Sequence, residues 1–246
     1  MQETIHSPIA KKIPKELTIH GDTRQDEYYW LNQREDKEVI AYLNEENAYT
    51  EAKLAHTKEF QKELFEEIIG RIKQDDTSVP YKDNGYFYRT EFNEGQEYPI
   101  YYRQKEHLQA DKELLINVND LAKGHNFYQA KSLNVSPNNK ILAYGEDTLS
   151  RRIYTIRFKN LETGEMLKDQ IPNNTGGAIW ANDNKTVFYS VKDDSLRPYK
   201  IFKHRLGTDP SEDELVFHEE DDTYICLLYT SPSPRDLSTS RMPSSA

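Results

Sequence analysis

The sequence has little of what marks several classes of protein. It contains one cysteine, Cys226, which excludes an internal disulfide framework and gives no cluster of metal-ligating thiolates. No run approaches the roughly 18 apolar residues that a membrane helix needs, and residues 1–12 lack the apolar stretch of a secretory signal. We therefore expect no membrane partner and a cytoplasmic location. A periplasmic location stays open if the true start lies upstream of Met1.

Basic charge is also scarce. The formal net charge is −10, whereas phosphate binding needs clustered Lys and Arg, so no nucleic-acid partner is expected. An acidic surface attracts basic peptides over long range, although solubility alone is a sufficient reason for the charge. What the sequence does contain is aromatic residues, with 17 Tyr and 9 Phe. This abundance argues against a wholly disordered chain.

A helical segment follows an irregular, polar stretch at residues 1–34. Asp36 is a suitable N-cap, and Gly70 marks a stop. Between them, apolar residues recur at helical spacing: Val39, Tyr42, Leu43, Phe60, Leu64, Phe65, Ile68 and Ile69. The pattern predicts helix over 36–69 and leaves open whether one helix or two, broken near Thr50, are present.

Short strands in a repeated arrangement follow from about residue 76 to 224. Turn residues around Asn84, Asn139 and Asn184 each precede a strand rich in aromatic or β-branched residues. A second such strand lies 17 residues after each Asn, and the copies start 55 and 45 residues apart. These offsets are typical of propeller blades with four strands. They favour about three blades of an incomplete β-propeller over the alternative, an open β-sandwich.

Residues 225–246 break this pattern. Hydrophobic periodicity disappears, and Ser, Pro, Thr and Arg dominate. The amino-acid sequence of this segment resembles the translation of adapter DNA at the end of an assembled reading frame. We interpret 225–246 as a non-native tail and keep a real flexible tail as the alternative.

The chemistry of a serine hydrolase is absent from these residues. Such an enzyme needs Ser in a Gly-x-Ser-x-Gly turn, followed by Asp and His, and the ten glycines contain no such spacing. We therefore expect no catalytic residue in this chain. The seven histidines are scattered without the two-His spacing of a zinc hydrolase, so no metal site is expected either. Gly176-Gly177 suggests a tight turn between blades, and 218–222 a solvated acidic loop rather than a cation site. Arg151-Arg152 beside Glu146-Asp147 suggests a surface charge pair.

The stretch from His20 to Leu31 resembles a known family. It contains Arg24-x-Asp26-x-Tyr28-x-Trp30-Leu31, which is similar to the opening signature of the prolyl oligopeptidase family of serine peptidases, in its oligopeptidase B branch. Further similar stretches follow in a consistent order: 39–43, 47–50, 146–152, 160–164, 180–183 and 196–199. The resemblance covers about residues 8–224.

The resemblance implies a mainly β fold with an N-terminal helical segment. In the family a seven-bladed propeller caps an α/β-hydrolase domain, which is missing here. Residues 1–70 would then be the segment that packs on the catalytic domain. Residues 71–224 would be the partial propeller, with blades near 76–125, 130–175 and 176–224.

The resemblance also implies an activity for the intact protein. It would hydrolyse short peptides after Arg or Lys, with the propeller gating access and with no cofactor; this chain alone would be inactive. Arg24, Asp26 and Trp30 would dock the hydrolase domain, although local packing is an alternative role for them. Two other hypotheses remain open, a non-catalytic β-repeat binding module and an inactive family member.

Overall fold

A computed structural model describes residues 6–229, and these belong to two compact units. The N-terminal unit is Met1–Lys73, and the β-repeat unit is Gln74–Ala246. The contact division therefore falls at residue 73, close to the predicted limit at 70. None of the helices described here is long and apolar enough to cross a membrane.

The N-terminal unit consists of a hairpin and two consecutive helices. Strands β1 (Lys15–Ile19) and β2 (Asp22–Asp26) pair antiparallel, and a 3-10 turn at Tyr29–Asn32 follows. Helix α1 (Lys37–Leu54) and helix α2 (Lys58–Gly70) are separated by a 3-10 turn at Ala55–Thr57. The open question is thus answered: two helices are present, and the break lies after Thr50.

The predicted helix start is confirmed, whereas the apolar face behaves differently along the segment. Asp36 Oδ1 accepts hydrogen bonds from the backbone N–H groups of Glu38 (2.7 Å) and Val39 (3.3 Å), as an N-cap does. Val39 is buried, but Phe60 and Phe65 of α2 are 64% and 63% exposed. The apolar periodicity therefore predicted the helices correctly, whereas the apolar face of α2 is exposed among the residues that the structure describes.

The first repeat of the β-repeat unit is an antiparallel five-stranded sheet. Its strands are β3 (Asp76–Thr77), β4 (Tyr81–Asp83), β5 (Tyr86–Phe92), β6 (Ile100–Lys105) and β7 (Lys112–Asn117). Strands β3 and β4 both pair with β5, and β6 and β7 continue the sheet. A short helix, α3 (Val118–Leu121), leads from this repeat to the next.

The second and third repeats form one antiparallel sheet of seven strands in sequence order. They are β8 (Gln129–Val135), β9 (Ile141–Asp147), β10 (Tyr154–Asn160), β11 (Met166–Trp180), β12 (Thr186–Lys192), β13 (Pro198–Arg205) and β14 (Glu214–His218). Strand β11 belongs to both repeats, with a register shift between Asn174 and Ala178. Its first half ends the second repeat and its second half begins the third, so the predicted limit at 175 falls inside this strand.

Gly176 lies at this register shift of β11, and its position corrects one expectation. Gly176 and Gly177 lie within β11 and form no turn between blades. Gly176 has φ +88, and a Cβ there would lie 2.7 Å from the Tyr154 ring. The backbone of Gly176 also lies where a Cβ on Gly145 would stand. Glycine is required at both positions because backbone and ring approach too closely for any side chain.

The repeated turns are confirmed and are joined to one another. Asn84, Asn139 and Asn184 all have positive φ, at 42°, 63° and 60°, a conformation that Asn tolerates well. Asn84 Nδ2 donates to Pro137 O (2.7 Å), and Asn139 Nδ2 donates to Asn84 O (3.2 Å). Asn184 Oδ1 accepts from the backbone N–H of Asn138 (2.7 Å). The turn of each repeat is thus bonded to the turn of its neighbour.

Two hydrophobic clusters lie between successive repeats. Side chains alternate between the two faces of a strand, so Leu142 and Tyr144 of β9 face the first repeat and Ala143 faces the third. The first cluster comprises Tyr88, Leu115, Ile116, Val118, Tyr128, Leu142 and Tyr144. The second comprises Ala143, Ile156, Phe158, Ile171, Ala178, Val187 and Tyr189. Sheets that pack face to face in sequence are the arrangement of propeller blades, and within residues 6–229 no strand pairing closes them into a ring.

Candidate functional site

The signature residues of the N-terminal unit have local partners. Asp26 Oδ1 accepts a hydrogen bond from the backbone N–H of Tyr28 (2.9 Å), and Trp30 Nε1 donates to Lys11 O (2.9 Å). The Trp30 ring lies 6.4 Å from that of Tyr42. Arg24 is exposed on β2. Local packing thus accounts for Asp26 and Trp30, and docking of another domain stays a prediction.

The expected charge pair after β9 is wrong for Asp147. This carboxylate is 2% exposed, and its oxygens accept from the backbone N–H groups of Leu149 and Arg152, each at 2.9 Å. Glu146 instead accepts from the Tyr128 hydroxyl (2.6 Å) and lies 3.7 Å from Arg157 Nε. Asp147 therefore shapes the loop that follows β9, because it binds two of its backbone donors.

Beside this loop, two lysines converge on one aromatic ring. Lys131 Nζ, from β8, lies 4.1 Å from the ring centroid of Tyr154, and Lys192 Nζ, from β12, lies 5.7 Å from it. The Tyr154 hydroxyl donates to Gln129 Oε1 (2.6 Å), which fixes the buried ring. Lys192 Nζ donates to Arg152 O (2.6 Å). We call Lys131, Lys192 and Tyr154 the lysine pair site.

The lysine pair site holds its positive charge against an unfavourable environment. Burial lowers the pKa of Lys131, and the charge of Lys192 lowers it further. Burial also lowers the pKa of Lys192, with Arg152 as the next cause. Asp147 opposes both shifts. The site therefore favours an additional negative charge, since an anion beside an ammonium stabilises its charged form.

A cavity of about 310 Å³ lies next to Lys131. Lys131 lines it together with residues of the first two repeats, including Tyr81, Tyr88, Tyr101 and Leu115. The rings of Tyr81 and Tyr88 are stacked, with centroids 5.2 Å apart. Apolar walls with a few polar groups are typical of small ligand sites.

A second buried polar group lies in the third repeat. His204 is fully buried, and its Nδ1 lies 2.7 Å from Asp213 Oδ1, while Tyr189 donates its hydroxyl to Asp213 Oδ2 (2.7 Å). His204 Nε2 lies 3.5 Å from Asp169 Oδ1 and has no hydrogen-bond partner. Burial raises the pKa of Tyr189, and the carboxylate of Asp213 adds to this. These groups join β12 and β13 to Asp213, the residue before β14.

The remaining candidates carry no binding geometry. In the acidic segment 218–222, Asp221 accepts from the backbone and hydroxyl of Thr223, within a local turn. Among residues 6–229, no group of three or more His, Cys, Asp or Glu is placed to hold a metal ion. Cys226 is buried, which raises the pKa of its thiol, and its backbone N–H donates to Pro198 O (2.8 Å). The predicted tail at 225–246 therefore includes a packed residue, and 230–246 lie outside the described residues.

Neither the lysine pair site nor the His204 cluster was predicted from the sequence. Lys131, Tyr154 and Lys192 come from three strands that the sequence separates by about 20 to 40 residues. No motif marks them, and only the pairing of the repeats brings them together. Their burial inside the strands is visible only in the structure.

Successive antiparallel β-repeats, joined turn to turn and with hydrophobic clusters between them, define a partial β-propeller. The chain matches the family model described as the prolyl oligopeptidase N-terminal β-propeller domain over residues 8–238. The chain belongs to this family of serine peptidases, as its opening signature predicted.

Two curated relatives and one solved structure show how similar this chain is to known proteins. Dipeptidyl aminopeptidase BI of Pseudoxanthomonas mexicana is 42% identical over 234 residues, which cover 88% of this chain and 32% of the relative. Protease 2 of Moraxella lacunata is 34% identical over 233 residues, covering 92% and 34%. Oligopeptidase B from Leishmania major superposes with a TM-score of 0.85 and 28% identity, covering 92% and 34%. The chain spans about a third of the length of the proteins it matches.

Proposed function

We propose that this chain is the N-terminal part of a serine oligopeptidase that hydrolyses short peptides after Arg or Lys. The observation that carries the proposal is the match to oligopeptidase B over 92% of this chain and 34% of that protein. The 34% identity to a relative named protease 2 points the same way. The remaining two thirds would contain the rest of the propeller and the α/β-hydrolase domain.

The chemistry would then lie outside these residues. A serine attacks the peptide carbonyl, a histidine takes and returns the proton, and an aspartate orients the histidine. Backbone N–H groups hold the oxyanion. The 246-residue chain alone would bind peptides at most and would not cleave them. The propeller would admit flexible peptides and exclude folded proteins.

The exposed face of α2 supports a partner for the N-terminal unit. Phe60, Leu64, Phe65 and Ile68 are all between 42% and 64% exposed. A patch of large apolar side chains on one helix face is typical of a surface that another domain covers. We infer that the hydrolase domain of the intact protein covers it.

A second activity is favoured by the relative with the higher identity. The name dipeptidyl aminopeptidase BI describes removal of dipeptides from a free amino end, and that protein is 42% identical to this chain. The two activities differ in whether a substrate with a blocked amino terminus is accepted. A blocked peptide therefore distinguishes them.

The test is hydrolysis by the product of the complete reading frame. We expect cleavage of an N-blocked reporter peptide after Arg or Lys, with norleucine in place of Lys as the uncharged control. Cleavage of only unblocked dipeptide reporters would favour the aminopeptidase activity. Absence of hydrolysis by the complete product, or hydrolysis by the 246-residue chain alone, would contradict the proposal.

A further inference from the structure

The two ammonium groups of the lysine pair site form no ion pair, although the charge of the buried Asp147 acts on both. Within residues 6–229, neither Lys131 nor Lys192 forms an ion pair with a carboxylate, whereas Arg103 pairs with Glu113 and Arg197 with Asp193. The chain as a whole has a net charge of −10. Two unpaired ammonium groups over one ring are therefore not the product of a generally basic surface.

The nearby carboxylates are already engaged. Asp147 accepts from the backbone N–H groups of Leu149 and Arg152. Asp193, which follows β12, accepts from Ser195 and from Arg197 Nε (2.9 Å). Neither carboxylate lies within 4 Å of the lysine ammonium groups as an ion pair would require, so both groups keep N–H donors for an external anion.

Neighbouring residues hold the two lysines of the site in defined positions. Lys131 Cε lies where a Cβ on Gly176 would stand, so the glycine creates the space that the lysine stem occupies. Tyr154 supplies a buried ring face that holds both cations. Lys192 is further fixed by its hydrogen bond to Arg152 O. A preorganised pair of donors loses little entropy when a ligand binds.

The adjacent cavity indicates what accompanies the anion. It holds about 310 Å³ and is lined mainly by tyrosines and aliphatic residues, with Lys131 and Arg89 as its charged residues. This volume is at the lower end of the range for small-ligand pockets and is sufficient for one large apolar side chain. An anion next to an apolar side chain is what a peptide presents at its last residue.

We propose that Lys131 and Lys192 bind a carboxylate of the peptide substrate, with a neighbouring apolar side chain in the tyrosine-lined cavity. This inference rests on the proposed function. Lys131 lies on the first strand of the second repeat, and Lys192 ends the second strand of the third repeat. The site would hold one end of a peptide while another part reaches the hydrolase domain. It would select peptides with a free carboxyl end over longer chains.

The test measures peptide binding to the 246-residue chain, independently of hydrolysis. The probes are three N-acetylated pentapeptides without Arg or Lys: one ending in Phe with a free carboxylate, the same peptide as an amide, and an amide with an internal Glu. We expect the free acid to bind tenfold or more tightly than the amide, since hydrogen bonds to a charged group are the strong ones. Because these peptides have no cleavage site, loss of the proposed peptidase activity would not affect the result.

Variants assign the effect to the site. Lys131→Gln and Lys192→Gln should each remove most of the preference for the free acid, whereas Lys168→Gln, an exposed lysine of β11, should leave it unchanged. If a variant does not fold, titration of the wild-type lysines by NMR provides a second measurement, because bound carboxylate raises their pKa. Equal binding of the Glu amide and the free acid supports carboxylate recognition from either source, and preference for the free acid alone supports the terminal carboxylate. Equal affinity of all three peptides, or preference that survives both lysine variants, would overturn the proposal.

Discussion

Replacement of Gly176 by alanine tests the crossing of β11 between two repeats. Gly176 has φ +88, which costs an L-residue about 1–2 kcal/mol. The new methyl group would also lie 2.7 Å from Lys131 Cε and 2.7 Å from Tyr154 Cγ. Lys131 can rotate away, but the Tyr154 ring is 4% exposed and packed. Such overpacking costs about 1–3 kcal/mol, so Gly176→Ala should destabilise the β-repeat unit by about 2–5 kcal/mol.

Two other glycines separate the contributions. Gly164 also has positive φ (+78), but a Cβ there would meet nothing within 4 Å. Gly164→Ala should therefore cost only the backbone term, about 1–2 kcal/mol. A Cβ on Gly145 would lie 2.3 Å from Gly176 O, without a positive φ. Gly145→Ala should be at least as damaging as Gly176→Ala, because backbone has to move.

Urea unfolding read by pulse proteolysis suits these variants, since it works at low protein concentration and follows the population of open chains. A loss of 1 kcal/mol also lowers the Tm of a domain of this size by about 2–4 °C. If Gly176→Ala cost no more than Gly164→Ala, the close approach of β11 to Tyr154 would be wrong.

Three further predictions concern the turns and the buried polar cluster. Asn139→Gly keeps the backbone freedom of the positive-φ turn and should cost less than Asn139→Ala in urea unfolding; equal losses would mean that the conformation is unimportant. His204→Leu removes a hydrogen-bond partner of the Asp213 carboxylate and should lower the free energy of unfolding by about 3 kcal/mol. Adding Asp213→Asn should recover part of that loss. If the losses of the two single variants were fully additive, the contact between His204 and Asp213 would be contradicted. Hydrogen bonds from the backbone of Lys185 and from Thr186 lower the pKa of Asp183 from 3.8 to about 2. Because the pKa of Asp183 is lower in the folded than in the unfolded state, its ionised form stabilises the fold above about pH 4, and this stability is lost as pH falls through about 2. Thr186→Val should raise the midpoint of the Asp183 titration measured by NMR. A midpoint near 4 in the unchanged protein would contradict the prediction.

Local signals predicted the elements of this fold well. Asp36 caps α1 because its short carboxylate reaches two free backbone donors, and that requires only neighbouring residues. Asn84, Asn139 and Asn184 mark turns because Asn tolerates positive φ wherever it stands. Such features depend on residues close in sequence, so the sequence pattern contains them.

Features that depend on packing between repeats were not predicted. Gly176-Gly177 has the composition of a turn, but the approach of Gly145 and Tyr154 places it inside a strand. Asp147 is a charged residue of the kind expected at the surface, but it accepts hydrogen bonds from the backbone of the following loop and is buried. The lysine pair site depends on three strands meeting at one ring. In each case the deciding contact comes from a residue that the local pattern does not include.

The central claim is that this chain is one part of a longer serine oligopeptidase. A long sequencing read of the source DNA across the codon for Tyr224 and beyond tests it most directly. We predict that the frame continues through about four more β-repeats into a Gly-x-Ser-x-Gly motif followed by Asp and His. A genomic sequence that truly encodes residues 225–246 and then stops would contradict the claim and would favour a non-catalytic β-repeat binding module.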